Sequence, residues 1–291
     1  MIYEIKSLLS HPIGGKRPLS SLWRVARWQL RSRMSRGTAM RFNWVGGSTL
    51  LVRRGDHGLT GNIYCGLHDF SEMSLVLHLL RPGDLFVDVG ANLGSYTVLA
   101  AAVAGAKVIA FEPQPTNFAR LRENIEVNGI ADRVEAMQFA VGAEPGQLRF
   151  TGSGTTCHLV GPEEAAHDAI DVPVMTLDAA LAGREPTMIK IDVEGFESAV
   201  IAGAASTLRS QKLRVVIAEL IGEGGRYGID EERIRRELTE LGFVAYDYDP
   251  IGRSLNPPTR TSGNNIFVRD KDKILPLLAT AGRRTLHGLE F

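Results

Sequence analysis

A glycine-rich segment is the first place in this chain where residue types and spacing can support chemistry. Asp88 follows the apolar residues 85–87, and Gly90, Asn92 and Gly94 follow the acid. Glycines at such a turn let backbone N–H groups approach a ligand, and the start of a helix favours negative charge. The segment therefore predicts a ligand-binding loop, in which Asp88 can bind an amino group or a water molecule.

A second acid, Glu112, ends the next apolar run, residues 108–111. In dinucleotide-binding folds an acid at this place holds the ribose diol. The dinucleotide fingerprint itself is G-x-G-x-x-G, and here Asn92 and Ser95 replace its second and third glycines. The pair of motifs predicts a nucleoside-containing cofactor. After Glu112 two prolines delay the next helix, which Thr116 or Asn117 is expected to cap.

A third group of charged residues lies at the end of a later apolar strand. Lys190, Asp192 and Glu194 alternate along it, so they share one face if the strand stays extended. Glu219 ends the following strand and can face the same cleft. The carboxylates can act as general bases in proton transfer, or Asp192, Glu194 and Glu219 can hold Mg²⁺. A salt-bridge cluster without chemistry is the structural alternative.

Two histidines are further candidates for the general base. His158 lies in a loop-rich segment, and His68 precedes Asp69 near the first helix of the main alternating pattern. Histidine titrates near neutral pH, so either ring can accept a proton in a reaction. A surface or hydrogen-bonded structural role is the alternative for both.

Composition indicates an ordinary globular protein, with 44% hydrophobic and 23% charged residues. The two cysteines, Cys65 and Cys157, form neither a disulfide framework nor a metal-ligand pattern, which favours reduced thiols in a cytoplasmic protein. No apolar run has the length of a membrane span or the form of a signal peptide.

The net charge of zero hides an asymmetry along the chain. Residues 5–55 carry eleven Lys or Arg and no acid, whereas residues 56–291 carry 22 Lys or Arg and 32 Asp or Glu. The basic residues are densest at 16–36, beside Trp23 and Trp28, with apolar residues at helical spacing. Such a helix can lie on an anionic membrane, and a solvated or flexible arm is the alternative. Nucleic-acid binding is not expected, because the rest of the chain is acidic.

The remaining sequence alternates between apolar strands and amphipathic helices, which predicts a parallel sheet covered on both faces. Strands are expected at 85–89, 107–112, 134–140, 187–192 and 213–219. Helices are expected at 94–104, 116–128, 196–208 and 230–241. Further expected elements are strands at 48–53 and 62–65, a helix at 70–80, a hairpin-like insertion within 146–175 and an antiparallel hairpin within 243–268.

From about Gly61 to Asp270 the chain resembles the FkbM family of S-adenosylmethionine-dependent methyltransferases. The resemblance rests on three ordered motifs: Asp88–Thr97, Phe111–Pro115 with Asn117, Asn124 and Asn128, and Lys190–Glu197. It implies a class I methyltransferase fold of the Rossmann-like α/β type, with a seven-stranded, mostly parallel sheet, helices on both faces and an antiparallel closing hairpin. It also implies O-methyl transfer to a hydroxyl of a saccharide, glycolipid, polyketide-like or other small molecule.

The resemblance further implies roles for individual residues. Asp192 and Glu194 would border the reacting methyl group. The catalytic residues expected from the whole sequence are Asp192, Glu194, His158 and Lys190, and our hypothesis for the base is Asp192 or Glu194, with His158 as second choice. Glu72 would reach the amino group of the methionine half, Glu112 the ribose, and Phe139 and Ala140 the adenine. The cofactor-binding set expected in full is Glu72, Asp88, Gly90, Asn92, Gly94, Ser95, Tyr96, Glu112, Asn117, Phe139, Ala140 and Asp192.

Two other functions fit the same sequence. A nicotinamide-dependent oxidoreductase shares the sheet type, although Asn92 argues against it. A membrane-associated protein that binds S-adenosylmethionine without turnover would keep the same motifs. The organisation expected is a basic N-terminal arm at 1–45, a small strand–helix cap at 46–80 and a methyltransferase domain at 81–291.

Overall fold

The computed structural model describes residues 8–151, 158–159, 169–220, 231–259 and 263–291. In chain order its strands are β1 Met40–Asn43, β2 Thr49–Val52, β3 Leu85–Val89, β4 Lys107–Phe111, β5 Val134–Met137, β6 Ala140–Val141, β7 Gly146–Thr151, β8 His158–Leu159, β9 Ile170–Met175, β10 Met188–Ile191, β11 Val215–Leu220, β12 Val244–Asp249, β13 Ser254–Asn256, β14 Gly263–Val268, β15 Thr285–Leu286 and β16 Leu289–Glu290. Its helices are α1 Pro12–Lys16, α2 Pro18–Met34, α3 His57–Cys65, α4 Phe70–Leu79, α5 Ser95–Val98, α6 Pro115–Val127, α7 Leu177–Leu181, α8 Glu197–Ala202, α9 Ala205–Arg209, α10 Glu231–Glu240 and α11 Lys271–Ala279.

The main sheet has the strand order β13-β12-β14-β11-β10-β3-β4-β5. Strands β3, β4, β5, β10 and β11 are parallel, and β14 runs antiparallel to β11 and β12. The predicted mostly parallel sheet with a reversed closing hairpin is therefore confirmed. The edge strand β13, three residues long, is added to the seven strands that were expected.

The central strands are apolar on both faces because each face packs against its own cluster. Phe86 belongs to one cluster and Val87 to the other, as alternation along β3 requires. Because these strands are parallel, their carboxyl ends all lie at one edge of the sheet, where α/β sheets bind ligands. No helix among the described residues has the length and apolar character that crossing a bilayer requires.

A second sheet, ordered β6-β9-β7-β8, forms the expected insertion after the third main strand. The single strand expected at 134–140 is instead divided, because the chain bends at Phe139 and its last residues pair with β9. The Phe139 ring packs on Phe111, with centroids 5.3 Å apart. The bend carries β6 out of the main sheet and places Phe139 beside the end of β4.

Two expected helices are also interrupted. The helix expected at 94–104 begins as α5 and continues as a π-helical turn, Leu99–Val103. The helix expected at 196–208 breaks at Gly203 into α8 and α9. A Cβ on Gly203 would lie 2.0 Å from the Gly142 carbonyl oxygen, so the break lets two backbones touch.

The strand predicted at 62–65 is wrong, because these residues form the last turn of helix α3. Leu59 and Ile63, four residues apart, are both buried, which is the spacing of one helical face. The hairpin β1–β2 precedes this helix, and β1 was not expected.

Two asparagines of helix α6 join β2 to the rest of the α/β fold. Asn124 Oδ1 accepts the Leu51 N–H at 2.7 Å, and its Nδ2 donates to the Leu93 carbonyl at 2.8 Å. Asn128 exchanges two hydrogen bonds with the Thr49 backbone, at 2.8 and 2.7 Å. Each side-chain amide thus takes the place of a neighbouring strand's peptide group.

Candidate active site

The glycine loop between β3 and α5 is shaped by contacts within the protein. Gly90 has φ +79°, and a Cβ there would lie 1.8 Å from the Asp192 carbonyl oxygen. Gly94 has φ +89° at the start of α5, and a Cβ there would lie 2.6 Å from the Leu121 side chain. The sequence suggested that these glycines clear space for a ligand. The structure adds a packing reason, because the Gly90 backbone closely approaches the Asp192 carbonyl group and the Gly94 backbone closely approaches the Leu121 side chain, and Gly90 also lines two cavities.

Asp88 lies inside β3 and is 1% exposed. Its Oδ2 accepts the Thr97 hydroxyl at 2.7 Å, whereas Oδ1 has no hydrogen-bond partner in the described part of the chain. Burial raises the pKa of Asp88, and the charge of Lys190, its neighbour on β10, opposes that rise. A buried acceptor without a partner is costly, so Oδ1 is suited to receive a hydrogen bond from a ligand.

Glu112 follows β4 and is 5% exposed. Its Oε2 accepts the Asn92 N–H at 2.8 Å and its Oε1 accepts the Gln114 N–H at 3.0 Å. Burial raises the pKa of Glu112 to about 7, although these bonds and one to the Asn117 side chain oppose the rise. Two carboxylate oxygens have about four acceptor positions and three are used here, so the group can accept one further hydrogen bond from a ligand hydroxyl.

Asn117 supports Glu112 and does not cap the helix. Helix α6 begins earlier than expected, at Pro115, and its N-cap is Gln114, whose side chain accepts the Asn117 N–H at 2.7 Å. Proline is tolerated at the first helical position because its missing N–H has no helical partner there. The expected cap at Thr116 or Asn117 is therefore wrong.

A first cavity of about 720 Å³ lies beyond the ends of β3 and β4. Its lining includes eight of the residues that the sequence predicts for cofactor binding or catalysis: Gly90, Asn92, Glu112, Asn117, Phe139, Ala140, Asp192 and Glu194. The remaining walls are Val89, Phe111, Pro113, Gln114, Val141, Phe150, Val193 and Phe196. The cavity thus has an acid at one side and aromatic rings at another.

A second cavity, of about 1050 Å³, shares Gly90, Asn92, Asp192 and Glu194 with the first. Its other walls are Gly58, Leu59, His68, Asp69, Met73, Asp88, Ala91, Leu93, Ser95, Tyr96, Lys190, Glu219 and Asn264. The two spaces therefore meet at the glycine loop and at the end of β10, with polar and charged groups concentrated in the second.

Lys190 is the buried positive charge of this second cavity. It is 3% exposed, its Nζ donates to Asp192 Oδ2 at 2.6 Å, and the same Nζ lies 4.7 Å from the centre of the Tyr96 ring. Burial lowers the pKa of Lys190, but the charges of Asp192 and Asp88 outweigh burial and hold it above its usual range. Lys190 therefore stays protonated at neutral pH and acts as a charge, not as a base.

The neighbouring carboxyl groups differ in charge. Burial raises the pKa of Asp192, but the Lys190 charge and hydrogen bonds from Glu219 and Lys190 bring it below its usual value. Burial and the negative charge of Asp192 together raise the pKa of Glu219 well above its usual range. At neutral pH Asp192 is therefore ionised, and Glu219 is protonated and donates a hydrogen bond to Asp192.

Asp192, Glu194 and Glu219 offer three oxygens within 4.8 Å of one another. The structure therefore brings together the trio that the sequence suggested as Mg²⁺ ligands. Three carboxylate oxygens can bind a hard cation, whereas the charge of Lys190 beside Asp192 opposes one.

The remaining candidates occupy other positions. Ser95 and Tyr96 line the second cavity, and the Tyr96 hydroxyl donates to Asp69 Oδ2 at 2.9 Å. Glu72 lines neither of the two cavities but a third, of about 560 Å³, beside Tyr246. His158 is in strand β8, and its side chain lies outside the described residues.

Glu197 has a structural function that the sequence analysis did not assign. It is 3% exposed, and its Oε1 accepts the N–H groups of Val193 at 3.1 Å and Gly195 at 3.2 Å. Burial raises the pKa of Glu197 to about 7. The side chain fixes the loop that carries Glu194, whose φ is +55°. An acid two residues after a glycine was the available signal for this contact.

Comparison with known proteins gives the family. The family model for the methyltransferase FkbM domain matches residues 88–245. The chain is 32% identical over 208 residues to 31-O-demethyl-FK506 methyltransferase FkbM from Streptomyces tacrolimicus, covering 59% of this chain and 77% of that one. It is 27% identical over 172 residues to hexuronic acid methyltransferase AglP from Haloferax volcanii, covering 57% of this chain and 66% of the relative.

A solved structure was also matched at low similarity. The C-terminal domain of precorrin-6Y C5,15-methyltransferase from Rhodobacter capsulatus is 17% identical, with a TM-score of 0.39, covering 69% of this chain and 87% of that one. The sequence family matches more than half of the chain and contains all three motifs around the two cavities. The chain therefore belongs to the FkbM family of S-adenosylmethionine-dependent methyltransferases.

Proposed function

We propose that the protein transfers a methyl group from S-adenosylmethionine to a hydroxyl group of a small molecule or glycan. The adenosyl part of the cofactor would occupy the first cavity, and its methionine part would reach Asp88 in the second cavity, from which the acceptor hydroxyl would also enter. The observation that carries this assignment is the shared wall, where Gly90, Asn92, Asp192 and Glu194 border both spaces. Methyl transfer requires the donor and the acceptor to come into contact, which is possible where the two cavities adjoin.

The residues present fit the cofactor. Glu112 lines the first cavity and has about one acceptor position left, which suits one hydroxyl of a ribose diol. Phe139 and Ala140 supply an apolar wall of the kind that an adenine ring packs against. The Asp88 Oδ1 atom is a buried acceptor without a partner among the described residues, which suits an amino group. When bound, S-adenosylmethionine supplies an already activated methyl group.

The protein must also accept the proton that the acceptor hydroxyl loses. Asp192 is ionised beside Lys190, and Glu194 is exposed at the cavity mouth, so either carboxylate can take the proton directly or through water. We assign the general base to Asp192 or Glu194. Lys190 holds Asp192 in place and Glu219 holds the shared proton, so these two residues set the charge of the base.

Magnesium is the alternative for the same carboxylates, because their three oxygens lie within 4.8 Å of one another. The two assignments differ in a simple assay. A base without metal predicts turnover that persists after exhaustive chelation with EDTA, whereas a metal site predicts loss of turnover and its recovery on adding Mg²⁺.

The substrate class is supported by the two relatives, whose names specify 31-O-demethyl-FK506 and hexuronic acid. We expect incubation of the protein with methyl-labelled S-adenosylmethionine and fractionated cell extract to label a glycan or a small molecule. A labelled protein or RNA as the main product would contradict the substrate assignment.

A double variant tests the base. In Asp192→Asn/Glu194→Gln we expect turnover to fall by about 10²-fold or more, the usual contribution of a general base. The affinity for S-adenosylmethionine, measured by calorimetry, is expected to change little. Asp132→Asn/Glu240→Gln is the matched control, since both of its acids are exposed and lie on other elements. Unchanged turnover in the first variant with intact cofactor binding would eliminate the assignment. Calorimetry with NAD⁺ would show no binding, in contrast to an oxidoreductase.

A further inference from the structure

Helix α2 is fixed to the protein along one side. Ser21, Trp28 and Ser32 on that side are buried. The Arg24 Nε donates to the Tyr64 carbonyl at 2.9 Å, which ties α2 to helix α3. The helix is therefore not a loose arm, and its other side faces outward in a defined orientation.

The outward side carries a row of large apolar side chains. Leu19, Trp23, Leu30 and Met34 are 83%, 67%, 62% and 72% exposed. At about 100° per residue these four positions fall within about 60° of one another around the helix axis. Exposed apolar side chains scattered singly need no explanation, but a continuous row of this kind indicates an interaction surface.

Positive charge surrounds this row. Arg27, Arg31 and Arg33 are exposed on the same helix, which contains no acid. The whole of residues 5–55 contains no acid either, whereas residues 56–291 contain ten more Asp and Glu than Lys and Arg. The surface that fits this helix has negatively charged groups at its exterior and an apolar layer directly beneath them. An anionic lipid membrane has this arrangement, whereas nucleic acid offers no apolar layer for the row.

We propose that α2 docks the protein on an anionic lipid membrane. Leu19, Trp23, Leu30 and Met34 enter the interface between headgroups and acyl chains, and the arginines contact the lipid phosphates. Helix α3 packs beneath α2 and lines the second cavity through Gly58 and Leu59. The docked helix and the cavity that would admit the acceptor are thus separated by one helix. Docking does not depend on the proposed acceptor, so the two are tested separately.

The test uses the full chain and sedimentation with vesicles of phosphatidylcholine alone or mixed with phosphatidylglycerol. We expect binding to the mixed vesicles only, weakened by added salt. Trp23→Ser/Leu30→Ser is expected to reduce the affinity by about tenfold or more, since each side chain buries its apolar area on docking. Ile251→Ser, at a position 52% exposed on another surface, is the matched control and should bind as the wild type does.

Tryptophan fluorescence gives an independent readout. Trp28 and Trp44 are only 6% and 8% exposed, so a blue shift on adding mixed vesicles would report Trp23. Trp23→Phe should abolish the shift while retaining most of the binding. Absence of binding to mixed vesicles, or equal binding by Trp23→Ser/Leu30→Ser, would overturn the proposal. If the wild type does not bind vesicles but self-associates in ultracentrifugation, and the same double variant does not, the row on α2 is an interface between two copies of the chain and the proposal is wrong.

Discussion

Replacement of Lys190 by methionine tests the charge arrangement at the centre of the site. Methionine has a similar length and volume, so the packing around the side chain is largely retained. The variant loses the ammonium group, which donates to Asp192 Oδ2 at 2.6 Å and lies beside Asp88 on the neighbouring strand. Both acids are then left without their positive partner.

The expected magnitude follows from burial. Lys190 is 3% and Asp88 1% exposed, so water cannot replace the lost charge beside Asp88, whereas the Asp192 side chain is 30% exposed and is partly solvated. Removing one partner of a buried ion pair costs about 3–5 kcal/mol, a large part of the 5–15 kcal/mol that typically stabilises a folded protein. We therefore expect Lys190→Met to lower the free energy of unfolding by about 3 kcal/mol or more at neutral pH.

The loss should depend on pH in a defined direction. In the variant the folded-state pKa of Asp88, which burial already raises, rises further, and the pKa of Asp192 rises from below its unfolded value. At pH values between the unfolded-state and the folded-state pKa, the folded state then binds more protons than the unfolded state. Stability then falls as the pH rises through that window, and the loss is larger at about pH 8 than at about pH 5.5. Urea unfolding at both pH values, followed by tryptophan fluorescence, measures it.

Two further variants complete this experiment. Lys190→Met/Asp192→Asn removes one of the two orphaned charges and should recover part of the loss. Lys212→Met, at an exposed lysine, should change stability by no more than about 0.5 kcal/mol. A loss below about 1 kcal/mol that is equal at both pH values would refute the argument that Lys190 neutralises buried acids.

Three other predictions concern the first cavity and the glycine loop. Glu112→Gln places an amide donor among the N–H groups of Asn92 and Gln114, and we expect calorimetry to show at least about tenfold weaker binding of S-adenosylmethionine. Because burial raises the pKa of Glu112 to about 7, the wild-type affinity should rise between about pH 6 and about pH 8 as the carboxyl ionises, and a flat profile would contradict its role. Gly90→Ala should lower the urea midpoint far more than Gly83→Ala, because both glycines have positive φ but only the Cβ at Gly90 would meet backbone, 1.8 Å away.

The main sheet was predictable because its strands are buried on both faces. Strands β3, β10 and β11 are apolar at nearly every position, and their bounds differ from expectation by no more than two residues. The gathering of Lys190, Asp192 and Glu194 at one cavity was predictable for the same reason, since parallel strands end at a common edge. The chemical roles of these residues stay predictions.

The features that the sequence did not predict lie where contacts distant in the sequence decide the conformation. Ile63 and Tyr64 favour a strand locally, but the helical spacing of Leu59 and Ile63 becomes decisive only when a core covers that face. Gly90 and Gly94 are required by Asp192 and Leu121, which are remote in the chain and unrecognisable as partners beforehand. The position of Glu72 beside the third cavity likewise depends on how α4 packs against β12.

The paired amides of Asn124 and Asn128 have a consequence for dividing this protein into parts. Together with Arg120, whose Nη2 donates to the Leu51 carbonyl, they bond all the outward backbone groups of Thr49 and Leu51, so that edge of β2 is closed to pairing with another chain. A fragment beginning at residue 81 would lose the strand and leave Asn124, which is 0% exposed, with half of its hydrogen bonds unmade. Removal of the first eighty residues would therefore destabilise helix α6, which follows Glu112. The β1–β2 hairpin is thus required for the stability of the main α/β fold.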